Sequence, residues 1–217
     1  MDKYPKVYSP YTRFTDGPKR NKLDWKSWTS PEIEVLADLP WDWTEKVDGT
    51  NIRVGWDGHT VAFGGRTDNA QIPATLFKRL QLLFPEELFE QVFKDKEVTL
   101  YGEGYGPKIQ AVGAQYRDDQ DFALFDVKIG RTWLRPEDVW QVAADMGIAM
   151  VPAFAQVTLY DAIEAVSEGL PSRYCNFKNP DQQFFAEGMV GRAPHGLLDR
   201  NGNRIMVKVK HVDFYES

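Results

Sequence analysis

Lys46 stands in the run "WTEKVDGTN", with carboxylates at Glu45 and Asp48 and an Asp-Gly pair immediately after it. Strand-like sequence, "IRVGW", follows at once, so the run reads as a turn between two strands. A lysine presented at such a turn has a second reading. Once it loses its proton, its amine is a nucleophile. Other residues suited to chemistry follow in order. Arg66 ends a Gly-Gly-Arg turn, and Glu103 lies between glycines in "LYGEGYG". Glu187 precedes Gly188 in "AEGMV", and "RIMVKVK" ends on Lys208 and Lys210. Strand alternation puts those two lysines on one face, where they repel unless something anionic lies before them. An edge strand guarded by lysines is the ordinary alternative, and a lone Glu-Gly is a common turn.

The elements that must position these residues are mostly strands. "NIRVGW" and "HTVAFGG" flank Asp57-Gly58 as a hairpin. "EVTLYGEG", "DFALFDVKI", "AMVPAFAQV", "FFAEGMVGR" and "RIMVKVK" are further strands, with Asn201-Gly202 turning into the last. Alternation groups Phe125 with Ala123, Val127 and Ile129, and Phe122 with Leu124, Asp126 and Lys128. Three helices are legible: one from Pro73 bearing Leu76, Phe77, Leu80, Leu83 and Phe84, one from Pro136 aligning Val139, Trp140, Ala143 and Met146, and one opened by a Thr-x-x-Asp cap at Thr158. Strands that precede turns rather than alternating with helices indicate an α+β fold of antiparallel β-sheets with flanking helices.

Composition narrows the classes. No apolar run approaches the ~20 residues that span a bilayer, and the N-terminus lacks the pattern of a signal peptide. The single cysteine, Cys175, allows no internal disulfide, and these features together predict a cytoplasmic protein without membrane partners. Three scattered histidines and one cysteine build no zinc cluster. The net charge is −6, yet residues 1–30 hold seven bases against three acids, leaving about −10 on the rest. Such an arm is either a solvated segment or a contact for phosphates. With no repeats or linkers, the expected organisation is an arm over residues 1–40 packed on one domain over 41–217.

Taken in order, the motifs resemble the covalent nucleotidyltransferase superfamily of ATP-dependent RNA and DNA ligases and capping enzymes, whose domain is ATP-grasp-like. "EKVDGTN" resembles its nucleophile motif, and "YGEGYG", "DFALFDVKIG", "AEGMVGR" and "VKVK" resemble the motifs that line its nucleotide pocket. DNA ligases typically place an arginine where this chain has Asn51, and "FGGRTDNAQIP" with Arg66 is similar to the RNA ligase branch that seals duplex RNA, in its small phage and bacterial members.

That resemblance implies an RNA-repair enzyme that takes AMP from ATP onto Lys46, passes it to an RNA 5′-phosphate, and seals that end to a 3′-hydroxyl. RNA or an RNA/DNA hybrid is the expected partner. It further implies that Lys208 and Lys210 contact phosphates and that Glu187 binds Mg2+ or Mn2+. Glu103 would accept from ribose, Arg66 would hold ribose or phosphate, and Asn51 would position a phosphate or its attacking group. Phe125, or Phe122 in the other phase, would stack on adenine, which backbone groups beside Glu45 would help select. Neighbouring cations and partial burial would favour the neutral amine of Lys46. The sequence stops seven residues after Lys210, so the expectation is a ligase without a C-terminal OB-like domain, gripping RNA through its N-terminal arm or a partner protein. The alternatives are a DNA or mixed-substrate ligase, a GTP-using capping enzyme, and a binding module that keeps the fold without the chemistry.

Overall fold

The computed structural model describes residues 1–178 and 183–215, with the backbone alone described at 176–178. The chain divides into two compact units: Met1–Pro5 with Val47–Val151, and Lys6–Lys46 with Pro152–Ser217. In chain order the elements are strands β1 (Tyr11–Arg13) and β2 (Leu23–Trp28), helix α1 (Pro31–Leu36), β3 (Asp42–Glu45), β4 (Thr50–Trp56) and β5 (Val61–Gly64). Next come α2 (Ala74–Leu83), α3 (Glu86–Phe93), β6 (Val98–Tyr105), α4 (Gly113–Tyr116), β7 (Asp121–Ile129), β8 (Thr132–Trp133), α5 (Pro136–Met146) and β9 (Ala149–Met150). The last are α6 (Leu159–Ser167), α7 (Arg173–Lys178), β10 (Gly188–Arg192), β11 (Met206–Lys210) and α8 (Val212–Tyr215).

The first unit is built on a six-stranded sheet in the order β5-β4-β6-β7-β8, with β9 pairing in parallel on β7 and every other pairing antiparallel. The Asp57-Gly58 hairpin joins β4 to β5 as the sequence predicts. One sheet face supplies Ile52, Val54, Leu100, Phe122 and Leu124 to a core completed by Leu76 and Leu80 of α2, Phe89 of α3 and Val139 of α5. On α5 the buried stripe is Val139, Val142, Ala143 and Met146, whereas Trp140, expected on that stripe, is 66% exposed.

Strand β7 departs from strict alternation. Tyr101 pairs with Asp126 and the next residue, Gly102, pairs with Leu124, so Phe125 is an extra residue in a β-bulge. The bulge resets the phase: Phe122, Leu124 and Val127 all reach the core, and Phe125 and Asp126 both meet Tyr4 on the other face. The expected grouping of Phe125 with Val127 therefore fails, as does that of Phe122 with Asp126. Phe122 is 1% exposed and its ring lies over Gly102, where a Cβ would stand 2.2 Å from it.

The second unit holds a three-stranded antiparallel sheet, β11-β10-β3, and the two-stranded β1–β2 hairpin. Trp43, Met189, Val207 and Val209 face a core shared with Ile33 of α1, with Ala37 just after it, and with Leu159, Ala162 and Val166 of α6. The Thr158 cap forms as predicted, Thr158 and Asp161 exchanging hydrogen bonds. "AMVPAFAQV" is a strand only over Ala149–Met150; beyond Pro152, which has no N–H for a ladder, it makes isolated bridges to Thr44 and Trp41. The segment over residues 1–40 is divided. Met1–Pro5 joins the first unit, and the rest folds as β1, β2 and α1 in the second.

Candidate functional site

In the second unit, register brings the lysines together. Because Trp43, Met189, Val207 and Val209 turn to the core, alternation turns Thr44, Val190, Lys208 and Lys210 the other way. Gly188 pairs with Lys210 on one side, and its carbonyl accepts from the Lys46 N–H at 2.9 Å on the other. Glu187, one residue before, reaches both. Lys46 Nζ donates to Glu187 Oε2 at 2.5 Å, and Lys210 Nζ lies 3.7 Å from Glu187 Oε1. All three side chains are partly exposed, at 26%, 22% and 29% for Lys46, Glu187 and Lys210. Lys208, half-buried, pairs with Val190 in the neighbouring row.

Gly188 makes this approach feasible. Its φ is +155°, and a Cβ there would stand 2.0 Å from the Val209 carbonyl oxygen. Only glycine lets β10 leave Glu187 at that angle and still pair with β11.

Glu45 is 1% exposed, and burial pushes its carboxyl above the ordinary value, against the lowering effect of its hydrogen bonds. Its oxygens accept from Ser172 Oγ at 2.6 Å and from the Arg173 N–H at 2.8 Å, which ties β3 to the start of α7. Its own N–H donates to the Pro152 carbonyl at 2.8 Å. The side chain and N–H of Glu45 are thus committed within the unit. Lys46 follows an anchored strand end.

In the first unit, Asn51 pairs with Glu103, which pairs with Ala123, on the sheet face opposite the core. Asn51 Oδ1 is buried and accepts from no donor among the described residues. A buried acceptor left so costs roughly 1–3 kcal/mol, which a donor from a bound molecule would recover. Residues 1–4 pack on part of the same face. Tyr4 packs edge-on against Phe125 at 5.0 Å and donates to Asp126 at 2.7 Å, and the Tyr101 hydroxyl donates to the Asp2 carbonyl.

Three side chains support the turns here that no sequence signal singled out. Tyr116 Oη accepts from the Asp48 N–H at 3.0 Å, and Gln110 Nε2 donates to the Gly49 carbonyl at 3.0 Å. Together they fix the turn after Lys46, where a Cβ on Gly49 would stand 2.4 Å from the Gly104 carbonyl. Arg53, 2% exposed, donates to the carbonyls of Gly65 and Met1 and to Asp68 Oδ1, at 2.7, 3.1 and 2.9 Å. It braces from within the turn on which Arg66 is exposed. A charged residue inside a predicted strand was the one available hint to Arg53.

Among the described residues no group of three or more His, Cys, Asp or Glu side chains could hold a metal. Each Glu187 oxygen faces a lysine, so a hard cation at this carboxylate would have to take the place of those contacts. Magnesium typically takes one or two carboxylates and completes its shell with phosphate oxygens and water. Among the described residues no helix is long and apolar enough to cross a membrane.

No curated protein matches the chain. Solved structures of a Naegleria gruberi RNA ligase share its fold. A lysine-to-methionine variant with AMP and Mn superposes with a TM-score of 0.63 at 19% identity, over 83% of this chain and 52% of that one. An apo aspartate-to-alanine variant gives 0.65 at 19%, over 85% and 53%, and an arginine-to-alanine variant with ATP and Mn gives 0.64 at 19%, over 86% and 55%. The chain thus spans about half the length of these ligases. The α+β architecture with its antiparallel sheets is that of the RNA ligase nucleotidyltransferase structures. The family model for RNA ligases matches residues 39–210, from just before β3 to the last lysine of β11, and on that match the chain belongs to the RNA ligase family.

Proposed function

We propose that the protein is an ATP-dependent RNA ligase acting through a lysyl-AMP intermediate on Lys46. The observation that carries this reading is the contact of Lys46 with Glu187, whose other oxygen faces Lys210 on the polar face of β3, β10 and β11. The family membership and the ATP- and AMP-bound relatives support the choice of nucleotide.

In the first step the Lys46 amine, having lost a proton and left Glu187, attacks the α-phosphorus of ATP. A P–N bond forms, the bond to the bridging oxygen breaks, and pyrophosphate leaves with the electron pair. An RNA 5′-phosphate oxygen then attacks the same phosphorus, and the departing amine regains a proton. Finally a 3′-hydroxyl, giving up its proton to solvent, attacks the activated 5′-phosphate; the new O–P bond closes the phosphodiester as the phosphoanhydride bond breaks and AMP leaves.

Such transfers depend on positioning and charge neutralisation more than on covalent help. Lys208 and Lys210 would supply positive charge to the phosphates. Glu187 would hold Mg2+ or Mn2+, and that ion would neutralise charge on the triphosphate. Glu103 would accept from ribose hydroxyls and Arg66 would hold ribose or phosphate. Asn51, with its unpaired oxygen, would take a hydroxyl or water donor. Phe125 is the stacking candidate the bulge leaves outside the core, since Phe122 is committed within it.

Sealing of a nicked RNA duplex bearing a 5′-phosphate, with ATP and magnesium, tests the reading. The expected product is full-length RNA from wild type and none from Lys46→Arg, whose guanidinium stays protonated. A protein that seals nicked DNA and leaves RNA open would sink the RNA assignment.

A further inference from the structure

Outside the site, the most distinctive surface is the β1–β2 hairpin of the second unit. Its connection is "FTDGPKRNK", Phe14 to Lys22. This is a folded loop. Backbone bonds run from Phe14 N–H to Lys22, Asn21 N–H to Phe14, Arg20 N–H to Gly17 and Lys22 N–H to Lys19. Asn21 adopts φ +68° and Gly17 φ +70°, so the loop turns sharply at both ends. Arg13 fastens its base, donating to the Asn21 carbonyl at 2.7 Å and to both oxygens of Asp213 in α8 at 2.8 and 2.9 Å.

Arg13 spends its charge on that anchor, but its neighbours do not. Lys19, Arg20, Lys22 and Lys26 are exposed, and no carboxylate among the described residues lies within ion-pairing distance of them. Beside them Trp25 is 45% exposed, its ring held 5.2 Å from Tyr11 and 5.3 Å from Phe214. Upstream, exposed Tyr8 accepts from the Lys208 N–H at 2.8 Å, and the Lys6 ammonium sits 4.7 Å over its ring. The segment leading into the hairpin is therefore hydrogen-bonded to the strand that carries Lys208. Solvated charge alone would not require a fastened loop, nor gather four cations with no ion-pair partner among the described residues on a chain of net charge −6. Phosphates spaced along a strand, with bases free to meet an exposed indole, match both features.

We propose that the β1–β2 hairpin is the surface that grips the RNA substrate, with Lys19, Arg20, Lys22 and Lys26 on backbone phosphates and Trp25 against a base or ribose. The inference rests on the RNA ligase reading for the identity of the strand, and the surface itself is tested by binding. Phosphate contacts of this kind fix position and supply affinity without reading sequence.

The test is binding of a fluorescently labelled nicked RNA duplex, followed by anisotropy between about 50 and 200 mM salt. Wild type is compared with the combined Lys19→Ala, Arg20→Ala, Lys22→Ala, Lys26→Ala variant and with Trp25→Ala. AMP transfer to the protein from labelled ATP, which needs no RNA, is followed in parallel. The combined variant should bind at least about tenfold more weakly, with a log-log salt slope shallower by about 4, because each of the four lost phosphate contacts removes about one unit. Its AMP transfer should equal that of wild type. Trp25→Ala should weaken binding with an unchanged slope. Equal affinity and slope for wild type and the combined variant would overturn the proposal while leaving the ligase reading intact. Loss of binding to anionic lipid vesicles with none to RNA would also overturn it, assigning the hairpin to a membrane surface. Absence of AMP from wild type, both as isolated and after incubation with ATP, would instead remove the ligase reading, and the RNA-binding comparison would still decide the surface.

Discussion

Lys46 and Glu45 are neighbours with opposite tasks. The Lys46 ammonium is partly exposed against Glu187, while the Glu45 carboxyl is sealed under Ser172 and Arg173. The sequence suggested that cations and burial would surround Lys46. The nearest charge is a carboxylate, which no strand pattern could place because Glu187 lies 141 residues away. Glu45 carries a testable pH signature. Its value is raised above 4.5 by burial, so the fold favours its protonated form more than the unfolded chain does. The stability it contributes is complete below 4.5 and is lost as pH rises through the raised value. Glu45→Gln removes this slope. Urea unfolding across that window should therefore show the variant gaining on wild type as pH rises, and a difference that stays constant would contradict the assignment. Glu45→Ala should cost roughly 1–3 kcal/mol for each donor left without an acceptor.

At the scale of elements, β10 and its glycine decide whether Glu187 reaches Lys46. Gly188→Ala would place a Cβ 2.0 Å from the Val209 carbonyl at φ +155°, and strain and overpacking of this kind each cost about 1–3 kcal/mol. Thermal unfolding should show a fall of several degrees, with AMP transfer reduced in the surviving folded protein. An unshifted midpoint would mean that β10 relaxes away from β11 at no cost. The strand bearing "VKVK" was legible because alternation and the opposing core face agree. The bulge in β7 was not, since one extra residue leaves no mark on composition yet moves Val127 to the core face. Pairings such as Tyr116 with Asp48 or Arg53 with Met1 escaped for a related reason. They join loops that have no periodicity to segments far away in sequence.

Across the whole molecule, the order of the motifs carried the family, because order survives where identity has fallen to about a fifth. The division into two units was not legible: the chain crosses between them at Lys46–Val47, inside a continuous strand-turn-strand pattern without a linker. The lack of clear periodicity likewise concealed that residues 6–40 form a hairpin and a helix. Covalent chemistry at Lys46 underlies the proposed function, and intact mass spectrometry reads it most directly. Purified protein should be measured as isolated and after incubation with ATP and magnesium, beside Lys46→Ala and a GTP control. Wild type should show a mass increase of one AMP, as isolated or after ATP, that is absent from Lys46→Ala and not produced by GTP. Wild type that stays unmodified throughout, or a Lys46→Ala variant that still gains AMP, would contradict that chemistry.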